Sequence, residues 1–277
     1  MGHGKLKKFN ENDTFSCLLQ PSTEEVLSEK CEGDKSLNLK PHPIRGHWAE
    51  KMFGNSLSAA ETQDKKIVLE LGCGKGEYTI ALAERHPENN FIGVDIKGAR
   101  LWTGAKYASV HSLSNVAFLR TRIEFVEAFF APSEVSEIWL TFSDPQMKSE
   151  NSRLTSPVFL ERYRHFLRKE GIIRLKTDST FLYEYTKAVC EANGLEILAC
   201  TSDLYAKERD CPGFPDELFE VQTFYEKNFL EQGFPINYIA FRIEREGDFV
   251  YPNFDAAYWR AEEKPRLLPG HQRPASR

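Results

Sequence analysis

The run Lys66-Ile67-Val68-Leu69-Glu70-Leu71-Gly72-Cys73-Gly74-Lys75-Gly76 limits what the chain can fold into more than any other stretch. Its apolar half has the length and β-branched content of a buried strand. The segment that follows, Glu77 to Glu84, has helical spacing, so the glycines fall on a strand-to-helix turn. Glycine there lets the backbone approach a ligand closely and take positive φ without a Cβ clash. A dinucleotide-binding turn needs G-x-G-x-x-G. Gly72 and Gly74 supply its first two glycines, but Glu77 stands at the third, and a carboxylate does not suit a pyrophosphate. The pattern is instead E-x-G-x-G-x-G, with Glu70 at the strand end. A second strand, Phe91 to Asp95, puts Asp95 where a carboxylate accepts hydrogen bonds from ribose hydroxyls. A nucleoside carrying a cation in place of phosphates fits these residues best, and S-adenosylmethionine is such a ligand. A purely structural turn beside a surface acid leaves the agreement of strand, glycines, helix and acid unexplained.

From residue 66 onward, strand-like and helical segments alternate. Strands are expected at 66–71, 91–95, 116–120, 136–142, 171–177, 195–200 and 237–243, and helices at 98–112, 122–130, 157–169 and 180–193. This predicts an α/β, Rossmann-like fold: a mostly parallel seven-stranded sheet with helices on both faces. Ligands on such sheets bind at the carboxyl ends of the strands. Asp144 follows the fourth strand, and Pro145 stiffens the turn behind it. Asp178 follows the fifth, where it either serves a ligand or caps the next helix. The helix over 157–169 has Ser156 as cap, Pro157 at its first position and Gly171 beyond its end. Phe159, Tyr163, Phe166 and Leu167 face the core; Arg162, Arg164, Arg168 and Lys169 form a solvated face or touch RNA. Residues 201–236 form an insertion between the last two strands.

The 277 residues allow one large domain with extensions. Residues 1–60 read as an irregular N-terminal extension or lid. It has a basic arm of Lys5, Lys7 and Lys8 and a capped helix start near Ser22 and Thr23. Residues 61–244 are the main domain. Residues 245–277 are a polar tail, with Tyr251, Phe254, Tyr258 and Trp259 available to dock it and its last ten residues expected to be disordered. The net charge of −5 does not announce a nucleic-acid binder, so charge has to be judged locally. Six cysteines lie scattered, with no C-x-x-C pair and no His at metal spacing. Reduced thiols, a cytoplasmic location and no metal are expected. No stretch is long and apolar enough to span a bilayer. The sequence leaves monomer and homodimer open.

Together these stretches resemble the bacterial tRNA (guanine-N7-)-methyltransferases over roughly residues 60 to 243. The likeness is carried by ELGCGKGEYTIALAERHPENNFIGVDIKGAR, FLRTRIEF, EIWLTFSDP, LTSPVFLERYRHFLRKEGIIRLKTD and TFYEKNFLEQG. The D-P-x-x-K and T-x-[FY]-E motifs are more specific than the glycine turn. The resemblance implies S-adenosylmethionine as cofactor and tRNA as partner, with methylation of guanosine 46 in the variable loop. It implies cofactor contacts at Glu70, Gly72, Gly74, Asp95, Arg122 and Asp144, with Asp144 also catalytic. It implies substrate contacts at Lys148, Asp178, Thr223, Phe224, Tyr225 and Glu226. Asp178 and Glu226 are expected to accept hydrogen bonds from the guanine N1–H and N2 amine. The chain departs from the family in three places. Arg122 stands where the family often has an acid, so the Ile123 backbone or Glu124 takes over that contact. The family's F-P-D-P is here Phe142-Ser143-Asp144-Pro145. Its basic loop is thinned to Lys148 and Arg153, with Glu150 added, which implies a shallower salt dependence of RNA binding. A methyltransferase acting on another RNA or a small molecule, and a non-catalytic RNA-binding relative, are the alternatives.

Overall fold

The structure is a computed structural model, and residues 3–28, 38–53, 65–207 and 211–263 are described. The strands are β1 (Leu18–Leu19), β2 (Ile67–Leu71), β3 (Asn90–Asp95), β4 (Val116–Arg120), β5 (Val135–Thr141), β6 (Leu167–Thr177), β7 (Ile197–Thr201) and β8 (Asn237–Phe241). They form one sheet in the order β1-β4-β3-β2-β5-β6-β8-β7. All neighbours from β1 to β6 run parallel, and β8 is antiparallel to both β6 and β7. The expected count of seven strands becomes eight. The extra strand is the two-residue β1, in the lead-in, pairing Leu18 and Leu19 with Phe118 and Leu119. Two residues carry no periodicity to read.

Strand alternation sorts side chains onto two faces. Ile67, Leu69 and Leu71 of β2, Ile138 and Leu140 of β5, and Ile173 and Leu175 of β6 belong to one core cluster. It is covered by α6 (Pro157–Arg164) and α7 (Thr180–Asn193), through Phe159, Leu160, Leu182 and Val189. Val68, Phe118, Trp139 and Tyr238 point the other way. There they meet α4 (Glu77–Arg85) and α5 (Gly98–Val110), through Tyr78, Leu82, Leu101 and Ala105, and the insertion, through Leu218 and Phe229. The insertion holds α8 (Glu217–Glu220) and α9 (Phe224–Glu231).

Three expectations need correction. The segment at 122–130 is a 3-10 helix, Ile123–Ala128. Helix α6 stops at Arg164, and β6 begins at Leu167, four residues early, because Leu167 pairs with Val135. Glu170 at φ +62° accommodates the break, so pairing overrides the helix propensity of Arg168-Lys169-Glu170. Ser156 does sit at the N-cap of α6 ahead of Pro157, but its hydroxyl accepts no capping bond.

The lead-in is not irregular where it is described. Helix α1 (His3–Asn12) lies on α5: Trp102 Nε1 donates to Glu11 Oε2 at 2.9 Å, and Asn12 Nδ2 to the Gly98 carbonyl at 3.0 Å. Short helices follow as α2 (Thr23–Val26) and α3 (Trp48–Met52). Glu25 accepts from the Ser22 N–H at 2.8 Å, as the capped start predicted. Trp48 is fully buried, donates to the Phe129 carbonyl at 2.8 Å and stacks on Phe130. Cys31 and the last ten residues lie outside the described residues. The tail carries a final helix, α10 (Ala256–Glu262).

The chain leaves β2 toward β3 and β4 on one side, and resumes at β5 and β6 on the other. The order therefore reverses at β2, and a crevice opens over the carboxyl ends of β2 and β5.

Candidate active site

The crevice holds a cavity of about 810 Å³, a size that suits a nucleoside-scale ligand together with part of a second molecule. Gly72 lines it after β2, Asp95 at the end of β3 and Ile96 just past it, Thr121 and Arg122 after β4, Phe142 to Gln146 after β5, and Asp178 after β6. Five consecutive parallel strands thus each deliver their next residues to one place.

The glycine turn takes positive φ at Gly72 (+81°), Gly74 (+59°) and Gly76 (+75°). They serve different ends. A Cβ on Gly72 would meet open space, whereas one on Gly76 would lie 2.6 Å from the Phe118 ring. Gly72 thus leaves backbone open to a ligand, and Gly76 lets the turn close onto β4. Asp95 binds both flanking loops: Oδ2 accepts from the Gly74 N–H at 3.0 Å and Oδ1 from the Lys97 N–H at 2.7 Å. An ionised carboxylate offers about four acceptor positions, so capacity remains for ribose hydroxyls. Ile96, 54% exposed, and Ile123 give the cavity apolar walls for a flat ring. These groups fit the adenosine part of S-adenosylmethionine.

Glu70 is placed differently from expectation. It does not line the cavity. It shares the face of Val68, under the start of α4, and is nearly fully buried. One oxygen accepts from the Thr79 N–H at 2.8 Å and from the Thr79 hydroxyl; the other accepts from the Thr141 hydroxyl. Burial pushes its carboxyl up to about 7, against these three bonds. Glu70 is a rivet joining β2, β5 and α4 beneath the turn.

Arg122 does line the cavity, exposed and 3.2 Å from Glu124, which lines it too. Burial raises the Glu124 carboxyl, but its own backbone N–H and Arg122 outweigh that and hold it below the ordinary range. The displaced acid of the family pattern thus has a neighbour able to replace it.

Asp144 faces the cavity, exposed, with Oδ1 accepting from the Gln146 N–H at 2.9 Å. Two non-glycine residues flank it at positive φ, Phe142 (+50°) and Gln146 (+46°). Such strain persists only where the surroundings enforce it. Asp178 lines the cavity at 8% exposure. The capping role open to it belongs to Ser179, whose hydroxyl accepts from the Leu182 N–H at 3.1 Å.

The T-x-[FY]-E segment divides. Tyr225 lines the cavity, stacked on Phe229. Thr223 caps α9, accepting from the Glu226 N–H at 3.2 Å. Phe224 is exposed beside the glycine turn; its N–H donates to Glu77 at 2.8 Å, and Lys75 lies 5.5 Å from its ring centre. The residue that excludes a pyrophosphate thereby fastens the insertion to the turn. Glu226 does not reach the cavity. It is fully buried, 2.7 Å from the ammonium of fully buried Lys176, and accepts from the Tyr205 hydroxyl at 2.6 Å. The Lys176 Nζ also donates to the Leu218 and Val221 carbonyls. Burial pulls Lys176 down and pushes Glu226 up, each opposed by the partner. Glu226 as a guanine acceptor is corrected to an anchor of the insertion on β6.

Of the two loop cations, Lys148 is exposed but off the cavity wall, and Arg153 is only 2% exposed, stacked over Phe181 and Tyr185. Sequence reasoning missed Ile96, Lys97, Arg100, Thr121 and Gln146 on the cavity wall. Ile96 and Thr121 directly follow strands, so the strand-end rule reaches them; Arg100 sits a turn into α5 and gives no such signal. Among the described residues no group of three His, Cys, Asp or Glu is placed to hold a metal, and no helix is long and apolar enough to cross a membrane.

A Rossmann-like sheet with an antiparallel strand inserted beside its last one, and an acid, Asp95, at the cavity beside a glycine turn whose third motif position is taken by Glu77, fit a methyltransferase that uses S-adenosylmethionine. The family model described as "Putative methyltransferase" matches residues 64–237. A tRNA (guanine-N(7)-)-methyltransferase of Christiangramia forsetii is 47% identical over 87% of this chain and 98% of its own. Relatives of the same name from Bacteroides thetaiotaomicron and Porphyromonas gingivalis are 45% identical over 92% of both chains and 52% identical over 77% and 83%. The chain belongs to the tRNA (guanine-N(7)-)-methyltransferase family.

Proposed function

We infer that this protein transfers the methyl group of S-adenosylmethionine to N7 of a guanine in tRNA, at guanosine 46 of the variable loop. The observation that carries the reading is the cavity itself, which joins Gly72 and Asp95 on one side to Asp144, Asp178 and Tyr225 on the other. S-adenosylmethionine, when bound, supplies an electrophilic methyl on a sulfonium. Asp95 holds the ribose, Gly72 leaves room for the amino-acid end, and Ile96 and Ile123 flank the adenine.

Guanine N7 carries a free lone pair at neutral pH, so the protein needs no general base. Its task is to hold the nucleophile in line and at near-attack distance. Asp144, held by Gln146 on a strained turn, sets the guanine edge. Its carboxylate also stabilises the positive charge that the ring gains, in a position fixed before the reaction. Asp178 accepts from the guanine N1–H and amine, which adenine cannot offer together. Tyr225 gives the base an aromatic face to stack on. Glu226 and Glu70 act from behind by fixing the elements that carry these groups.

The test is transfer of labelled methyl to unmodified tRNA, followed by mapping of the N7-methylated nucleotide. Methylation at the variable-loop guanosine is expected. Asp144→Ala is expected to abolish transfer while cofactor still binds. Transfer to small acceptors or another RNA in place of tRNA would overturn the substrate, and full turnover by Asp144→Ala would overturn its role.

A further inference from the structure

Residues 242–263 do not trail away from the protein. They run along α7 from its end to its beginning. At the carboxyl end of α7, Asn193 grips Val250 on both sides: Nδ2 donates to its carbonyl and Oδ1 accepts from its N–H, each at 2.8 Å. Phe249 is buried, with the Arg164 guanidinium 4.2 Å from its ring centre. Phe254 then stands edge-on to Phe181 and Tyr185, at ring-centre distances of 5.5 and 5.4 Å, and stacks on Trp259. Helix α10 follows, capped by Asp255. The run finishes at the amino end of α7, where Glu263 accepts from the Ser179 hydroxyl at 2.5 Å and the Phe181 N–H at 2.9 Å.

That end of α7 is the substrate side of the cavity, since Ser179 adjoins Asp178. The other substrate-facing loop is tied in the same way. The Tyr251 hydroxyl donates to Asn151 Oδ1 at 2.6 Å, beside Ser152 on the cavity wall. From the same loop, Arg153 lies over Phe181 and Tyr185, the two rings that Phe254 packs against. One length of chain therefore touches both loops and the aromatic pair between them.

We propose that residues 245–263 are a strap that fixes the Asp178 loop and the 146–153 loop relative to each other, with Glu263 and Tyr251 as positioning residues for tRNA. The proposal rests on the functional reading above. The chemistry favours it: a carboxylate receiving two donors at a helix amino end makes charge-assisted bonds and complements the helix dipole. A loop freed by its loss samples geometries in which the guanine is out of line, and small misplacements weaken transfer steeply.

The test uses the full-length protein with Glu263→Ala, Glu263→Gln and Tyr251→Phe, assayed well below their melting temperatures. For Glu263→Ala, KM for tRNA is expected to rise about tenfold, the scale of a lost hydrogen bond to a charged group. The dissociation constant for S-adenosylmethionine, read by calorimetry, is expected to stay at the wild-type value. Glu263→Gln should recover part of the loss, because the amide oxygen still accepts one bond. Tyr251→Phe should raise KM for tRNA on its own. A lowered melting temperature with wild-type KM in Glu263→Ala and Tyr251→Phe would overturn the strap. So would a parallel loss of cofactor affinity, which marks general loosening. A wild-type protein that methylates no tRNA would overturn the functional reading and the strap with it.

Discussion

Replacing Glu226 by alanine strips Lys176 of its counter-ion at a point where neither side chain is exposed. The ammonium keeps the Leu218 and Val221 carbonyls, at 2.7 and 3.1 Å, but these are dipoles and not charges. Breaking a buried pair from one side destabilises by about 3–5 kcal/mol. Relief by discharging the lysine does not lower that figure, since neutralising an ordinary lysine at pH 7 costs about 5 kcal/mol. Urea unfolding should therefore show a loss of about 3–5 kcal/mol for Glu226→Ala. Lost activity in that variant alone proves little, because the insertion carrying Tyr225 would be released from β6. The double variant Lys176→Met with Glu226→Leu removes both charges and refills the space, a change that is often neutral or stabilising. If Glu226 only anchors the insertion, the double variant recovers stability and methylates tRNA. A double variant of wild-type stability with no methyl transfer would refute the anchor and restore Glu226 as a substrate contact.

Burial lifts the Glu70 carboxyl from 4.5 to about 7, so the folded state holds its proton more tightly than the unfolded chain does. Its contribution is whole below the unfolded value and is lost as pH rises through about 7. Glu70→Gln should flatten that slope, by about 3 kcal/mol over the window, in melting curves taken across it; parallel wild-type and variant curves would refute the shift. Lys148→Ala should reduce the slope of log affinity for tRNA against log salt by about one contact. Arg153→Ala should leave that slope alone and lower stability by about 1–2 kcal/mol through its lost aromatic stacking, and equal slope changes in the two variants would refute the distinction.

What the sequence made legible is the path of the backbone. Apolar runs with strand length lie where β2, β4 and β5 lie, and the rule that chemistry follows strand ends leads to Asp95, Asp144 and Asp178, all on the cavity wall. Short or compensated features escaped it. The two residues of β1 have no period, and Arg168-Lys169-Glu170 reads as helix until Leu167 finds Val135. The side on which a carboxylate lies was harder to read. Glu70 stands two residues before a cavity-lining glycine, yet strand alternation gives it the face of Val68, under α4, where Thr79 and Thr141 supply its donors. Glu226 follows a cavity-lining tyrosine, yet one step around a helix turns it to Lys176. Alternation along β6 puts Lys176 on the face that the insertion covers, opposite Leu175, so a lysine within an apolar strand is the signal that a buried carboxylate must come from elsewhere in the chain. Motif likeness assigns all these acids to ligands alike. The physical distinction is where the fold puts each carboxylate: Glu70, held by Thr79 and Thr141, and Glu226, held by Lys176 and Tyr205, lie buried away from the cavity, whereas Asp95, Asp144 and Asp178 lie on its wall.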